Sequence, residues 1–152
     1  MRNFISEDDI EQAILQKLEG DPFQYGILRC DPSPDKRELL PDGTGRSSKK
    51  ECVLPLILRE ALARLNPDIP GEKLEEIARD LCRDFSATDM TATNYKYYNQ
   101  IRNGIKISLR RNGKEDFDFV KLVDFDRPEN NTFTAVSQMW ICLLYTSPSP
   151  RD

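Results

Sequence analysis

Histidine is absent from the 152 residues of this sequence. Its absence excludes a Ser-His-Asp relay, a Cys-His relay and any histidine-ligated zinc site within the chain. An excess of positive charge is also absent, because 22 basic residues stand against 26 acidic ones and the net charge is −4. A protein that coats nucleic acid over its whole surface is therefore excluded. Any chemistry that these residues perform must use carboxylates, lysines or a hard metal ion.

Long apolar runs and paired cysteines are missing too. No stretch approaches the roughly 18 apolar residues that a membrane-spanning helix needs, and Met1–Phe4 lead directly into an acidic segment without a signal-peptide core. Cys30, Cys52 and Cys82 are too far apart in sequence for a CxxC metal knuckle, and they indicate no disulfide framework. We therefore expect a cytoplasmic protein without membrane contact.

Helical patterns occupy the first two thirds of the chain. Ser6 and Asp9 form a capping box at the start of a first helix, whose apolar stripe follows Ile10, Ile14 and Leu18. Apolar spacing predicts three further helices. The first begins near Leu54, the second begins near Gly71, and the third ends at Gly104. The second of these three is expected to run to Phe85, and the third to carry Tyr95, Tyr98 and Ile101.

The segment Asp31–Lys50 is rich in proline, glycine, serine and charge, which is typical of a solvated surface loop. Its Gly43-Thr44-Gly45 and Lys49-Lys50 invite comparison with a phosphate-binding loop. The pattern GxxxxGK[ST] is not present, and no apolar strand leads into the glycines. We therefore interpret the segment as a loop and not as a nucleotide site.

After Gly104 the apolar period changes from 3.6 to 2. Ile105, Ile107 and Leu109 alternate with polar residues, and Asn112-Gly113 supplies a tight hairpin turn. A returning strand is expected over 116–125 and a further extended segment over 132–141. The predicted fold class is thus α+β (mixed), with several helices followed by an antiparallel meander.

Basic residues interleave with tyrosines around this change of period. Such a combination could line a duplex backbone or stack on bases, although an exposed strand edge protected by charge would have the same composition. Both interpretations stay open. The candidate DNA-binding residues are Lys96, Arg102, Lys106, Arg110, Arg111 and Lys114.

The last eleven residues, CLLYTSPSPRD, differ in character from the rest. A reverse-translation of all eleven fits the adapter that transposase-based sequencing libraries ligate to DNA fragments. A segment of foreign origin is not part of the natural domain and does not determine its fold. We therefore expect residues 1–141 to be a partial natural domain and residues 142–152 to be translated adapter.

Four segments in order resemble the start of the restriction (R) subunit of type I restriction-modification enzymes: ISEDDIEQAILQKL, LREALARLNPDIP, NQIRNGIKISLRRNGK and LVDFDRPENNTFTAVSQMWI. The resemblance implies the front part of a PD-(D/E)xK restriction-endonuclease-like domain. It also implies a parent protein that cleaves double-stranded DNA with Mg²⁺, translocates DNA with ATP, and assembles with modification and specificity subunits. This chain departs from the family pattern at Ser137, where asparagine is expected before Gln138.

The catalytic Asp and Glu-x-Lys of that family have no match in this chain, which contains no Glu-x-Lys at all. The resemblance therefore implies a fragment that is inactive alone, with no complete metal site and no cofactor of its own. It leaves one candidate catalytic residue, Glu11, as an acidic group on the first helix that supports the metal site. The alternative is a non-catalytic cytosolic binding or scaffold module.

Overall fold

The chain is described by a computed structural model that covers residues 5–31, 33–36, 39–83, 89–111 and 113–141. The fold is mixed α+β, as predicted. The elements in order are α1 (Glu7–Glu19), β1 (Gly26–Arg29), α2 (Pro55–Leu65), α3 (Gly71–Leu81), α4 (Met90–Asn103), β2 (Ile105–Arg111), β3 (Lys114–Val120), a 3₁₀ turn (Pro128–Asn130) and β4 (Thr134–Ser137). The turn residue Asn112 and the segment 142–152 lie outside the described residues, so the predictions made for them stay predictions. Phe85 lies outside them too, but the prediction that α3 runs to that residue is wrong, because the helix ends at Leu81 with Cys82 as its C-cap.

Helix α1 begins with the predicted capping box. The Ser6 hydroxyl accepts from the Asp9 amide at 3.1 Å, and the Ser6 amide donates to the Asp9 carboxylate at 3.0 Å. The prediction for its buried face is wrong, because Leu15 is the buried residue while Ile10 and Ile14 are 52% and 54% exposed. Helix α1 contacts β1, and apolar spacing alone does not state which residues of a helix its neighbours cover.

Helix α2 begins, and helix α4 ends, where the sequence predicts. Pro55 occupies the first turn of α2, where its missing N–H leaves no helical bond unmade, and Asn66 caps its C-terminus. Gly104 follows α4 with φ at +81°. A Cβ at this position would lie 2.9 Å from the carbonyl oxygen of Val120, so the helix-to-strand connection requires glycine.

The strands form two separate pairs. The antiparallel hairpin of β2 and β3 is confirmed, with Ile105 opposite Val120 and Arg111 opposite Lys114. The predicted bounds of its returning strand, 116–125, are wrong, because β3 begins at Lys114 and ends at Val120, where the pairing with β2 ends. The predicted meander is wrong beyond this hairpin, because β4 does not add to β3. It pairs in parallel with β1, from Gly26 opposite Thr134 to Arg29 opposite Ser137. Side-chain alternation specifies which face of a strand is buried but does not name its neighbour, and β1 is too short for a strong signal.

The apolar core lies between α2, α3 and the hairpin. Leu62 and Val120 are fully buried, and Ala78 of α3 is inaccessible as well. Asn66 joins the layers through polar contacts, since its amide donates to the Lys121 carbonyl and accepts from the Lys121 amide. None of the described helices is long and apolar enough to cross a membrane. The buried cluster consists of Leu62, Ile69, Leu74, Ile77, Ala78, Leu109 and Val120.

Candidate functional site at the ends of the parallel strands

The carboxyl ends of β1 and β4 meet at one edge because the two strands run in parallel. Two backbone bonds outside the ladder itself extend this pairing: Gly26 N–H donates to the Phe133 carbonyl at 2.9 Å, and Cys30 N–H donates to the Ser137 carbonyl at 3.0 Å. In open sheets, ligands bind beyond such carboxyl ends. The residues that follow the two strands are therefore candidates for a functional site.

Glu11 of α1 lies at this edge and holds two donors. The Ser137 hydroxyl donates to Oε1, and the Gln138 side-chain amide donates to Oε2 at 2.7 Å. The Ser137 bond first, and the Gln138 bond second, hold the pKa of Glu11 below its usual range, with a smaller contribution from the positive charge of Arg29. Glu11 is therefore an ionised carboxylate that ties α1 to the end of β4.

The backbone at Gln138 is unusual for a non-glycine residue. Its φ is +57°, in the left-handed region that L-residues rarely occupy. Residues held in this region cluster at functional sites, where the surrounding structure maintains them. At Gln138 the bend turns the side-chain amide toward Glu11 directly after the last residue of β4.

Arg46 anchors the other side of this bend. Its side chain has no solvent exposure and forms an ion pair with Asp42 at 2.8 Å. The pKa of Asp42 is low: burial raises it, but hydrogen bonds from Thr44 and Arg46 outweigh that effect. The described part of Asp31–Lys50 contains no helix or strand, as predicted, yet the expectation of a fully solvated loop is wrong at Thr44 and Arg46, which are both buried.

A shallow cavity of about 140 Å³ opens beside these groups. Its lining combines apolar side chains with two carboxylates, a lysine and Gln138. Asp31 is already paired with Lys36 at 3.1 Å, and Asp42 with Arg46. The lining residues are Cys30, Asp31, Lys36, Leu39, Pro41, Asp42, Gln138 and Trp140.

The residues at this edge do not make a complete Mg²⁺ site. Divalent cations of this kind require several oxygen ligands, and within the described ranges no three acidic or cysteine side chains come together. Glu11 supplies one carboxylate, and both of its oxygens already accept hydrogen bonds. The sequence contains no Glu-x-Lys.

The six candidate DNA-binding residues belong to α4 and the hairpin, and Glu11 belongs to α1. Lys96 and Arg102 belong to α4, Lys106, Arg110 and Arg111 to β2, and Lys114 to β3. Lys106 and Arg110 are four positions apart on β2 and therefore lie on one face of the hairpin, with Ser108 between them. They share that face with Phe117, which pairs with Ser108 and is 57% exposed. The Lys106 ammonium lies 4.3 Å from the centre of the Phe117 ring.

Sequence reasoning singled out Glu11 but missed its partners and Arg46. Ser137 was noted only as a departure from a family pattern, and no local signal joins residues 11 and 137. A signal for Arg46 does exist: Asp42 and Thr44 precede it at even spacing, and the Asp42 carboxylate accepts from the Thr44 amide at 3.1 Å. An Asx turn followed by an arginine can bury its charge locally.

The fold and the site together define a mixed α+β domain with a polar site centred on a helix carboxylate. The family model described as "Type I restriction enzyme R protein N terminus" matches residues 4–148. The match covers most of the chain, and the chain belongs to this family. The resemblance of the four sequence segments is thereby confirmed.

Two curated relatives agree with this assignment. The chain is 29% identical over 137 residues to the type I restriction enzyme HindI endonuclease subunit of Haemophilus influenzae. It is 25% identical over 139 residues to the putative type I restriction enzyme MjaIXP endonuclease subunit of Methanocaldococcus jannaschii. Each alignment covers 90% of this chain and 12% of the relative, so the chain spans about an eighth of their length. No solved structure matches the chain.

Proposed function

We propose that this chain is the front part of the nuclease domain of a cytoplasmic type I restriction enzyme R subunit. The observation that carries the proposal is the family match over residues 4–148. The two relatives support it, since both are endonuclease subunits that align through only 12% of their length. Residues 1–141 are the natural part in this proposal, and 142–152 are adapter.

The parent subunit in this proposal cleaves double-stranded DNA, uses Mg²⁺ for the cleavage and ATP for translocation, and acts together with modification and specificity subunits. Magnesium would polarise the phosphate and lower the pKa of the attacking water. The contribution of this chain is to fix one ionised carboxylate, Glu11, at the strand edge by two hydrogen bonds. The 152-residue chain alone is inactive, because its sequence contains no Glu-x-Lys.

A long sequencing read across the source locus tests the assignment. We expect the reading frame to continue after the Ile141 codon through strands that carry Asp and Glu-x-Lys, and then through a phosphate-loop motor. A locus that encodes CLLYTSPSPRD followed by a stop codon would overturn it. The complete subunit with its partners should then cut plasmid DNA only with Mg²⁺ and ATP, whereas the 152-residue chain should not cut it.

The basic face of the hairpin and α4 is proposed to contact the DNA backbone. Each phosphate contact that is lost lowers the dependence of binding on salt by about one counterion. We expect Lys106→Gln with Arg110→Gln to weaken duplex binding by the 152-residue chain and to reduce the slope of log K against log salt by about two. The measurement is a fluorescence-anisotropy titration at several salt concentrations.

The matched control removes the same charge elsewhere, through Lys17→Gln on α1 and Arg79→Gln on α3, both exposed. These positions lie outside the proposed DNA face, so the slope should stay near that of the unchanged chain. Equal slopes for the two double variants would show that only net charge matters and would refute a defined DNA face.

A further inference from the structure

The guanidinium of Arg46 is the most completely bonded charged group at the site. It donates from Nη2 to Asp42 at 2.8 Å, from Nη1 to the Glu51 carbonyl at 3.0 Å and from Nε to Thr44 at 3.0 Å. A buried charge is tolerated only when its partners replace water in this way. Asp42 neutralises it at short range.

One further bond of Arg46 reaches across the chain. Nη2 donates to the carbonyl of Trp140 at 3.0 Å, over a sequence separation of 94 residues. This contact fixes the backbone two residues beyond Gln138. On the other side of Gln138, the Cys30 amide holds the Ser137 carbonyl at 3.0 Å. The left-handed bend at Gln138 is therefore fastened at both ends.

We infer that Arg46 is a positioning residue that holds Gln138 in its bend and thereby sets the Glu11 carboxylate at the strand edge. Without the Trp140 contact, the backbone after β4 can relax out of the left-handed region, which is costly for glutamine. The side-chain amide of Gln138, 2.7 Å from Glu11, would move with it. The catalytic meaning of this arrangement rests on the proposed function, but the arrangement itself does not.

Arg46→Lys tests the inference in the isotope-labelled 152-residue chain. Lysine can keep the ion pair with Asp42 but presents one ammonium and cannot satisfy all four acceptors in the same geometry. We expect the side-chain amide signal of Gln138 and the backbone signal of Glu11 to shift in nitrogen–proton correlation spectra. Signals of the apolar core, such as Val120, should stay in place.

The control is Arg59→Lys, which replaces another arginine with a bidentate carboxylate partner, Glu75, at 2.8 and 2.9 Å. It should shift signals near Glu75 and leave Gln138 unchanged. If Arg46→Lys moves Trp140 but leaves Gln138 and Glu11 as they were, Arg46 only packs the loop and the inference is wrong. Should that variant unfold, Asp42→Asn weakens the same anchor and is subject to the same two outcomes.

A second variant tests the route through Gln138. Gln138→Gly keeps a residue suited to the bend and removes the amide, so Arg46→Lys in that background should produce no further change at Glu11. An undiminished further change would overturn the route. In the complete subunit, Arg46→Lys should lower kcat about tenfold to a hundredfold with KM for DNA unchanged. Absence of cleavage by the unaltered subunit would count against the proposed function, while the spectral result would still decide the role of Arg46.

Discussion

Two regions of this molecule are held together by different forces. The hairpin region, which comprises α2, α3, β2 and β3, surrounds one continuous apolar cluster. The parallel-strand region, which comprises α1, β1, β4 and the loop 39–51, contributes no residue to that cluster. Its centre is polar: Arg46 is bonded to four groups, and Glu11 joins α1 to the end of β4.

The apolar cluster of the hairpin region contributes mainly to stability, whereas the hydrogen bonds of the parallel-strand region fix the positions of particular atoms. Apolar burial is non-directional, so the hairpin region gains stability without requiring that any one atom lie in one place. Hydrogen bonds to charged groups are directional and lose strength quickly with misalignment. The parallel-strand region therefore orients the Glu11 carboxylate by directional bonds, and the hairpin region contains the apolar cluster.

Leu62→Ala is expected to lower the free energy of unfolding more than any other change proposed here, and it acts on the hairpin region. Leu62 is 1% exposed at the centre of the apolar cluster, so its truncation loses transfer free energy and leaves a cavity. We expect a loss of about 2–5 kcal/mol in the free energy of unfolding, measured by urea denaturation. Leu56→Ala in the same helix, at a position 58% exposed, should cost less than about 1 kcal/mol. Similar losses for the two variants would contradict the assignment of the core.

Gly104→Ala breaks the junction between α4 and the hairpin. The methyl group would meet the Val120 carbonyl at 2.9 Å, at a φ of +81° that alanine adopts only with strain. We expect a loss of about 1–3 kcal/mol. Gly71→Ala is the matched control, because its Cβ would meet nothing within 4 Å. That control should be neutral or stabilising by up to about 1 kcal/mol, and a comparable loss there would point to a general effect of the added methyl.

The two regions also differ in how far the sequence predicts them. In the hairpin region the signals are local: Ile105, Ile107 and Leu109 alternate, and Gly113 adopts a φ of +75° in the turn. Gly104 ends α4 for a reason that is visible in the residue type itself. Each feature depends on neighbours within a few positions, so sequence reasoning recovers it.

In the parallel-strand region the informative contacts are distant in sequence. Strand β1 pairs with β4 through backbone groups, which every sequence carries, at a separation of more than 100 residues. Glu11 accepts hydrogen bonds from Ser137 and Gln138, which lie 126 and 127 positions further along the chain. Ile10 and Ile14 were predicted to be buried but are exposed, because apolar periodicity indicates one face of a helix and does not show which element covers it. What the sequence predicts there is local: the capping box of α1, a contact over three positions, the helix that follows it, and the extended segment that contains β4.

Glu11→Gln gives the smallest and most selective change, and it acts only on the parallel-strand region. The Ser137 and Gln138 bonds lower the pKa of Glu11 in the folded chain, so the carboxylate contributes stability at pH values above the pKa of glutamate in the unfolded chain. That contribution is lost as pH falls through the lower folded pKa. We expect Glu11→Gln to be less stable than the unchanged chain at pH 7, and the difference to shrink below about pH 4.

The measurement is urea denaturation of both proteins between pH 3 and pH 7, which cancels the titration of the other acidic groups that they share. Glu60→Gln, at an exposed position of α2, is the control and should differ from the unchanged chain by a small, constant amount. A Glu11→Gln difference that stays constant down to pH 3 would mean that the two donors do not favour the ionised form. Hydrogen bonds to the ionised carboxylate would then not stabilise the parallel-strand region. The two regions would differ in composition but not in the forces that hold them together.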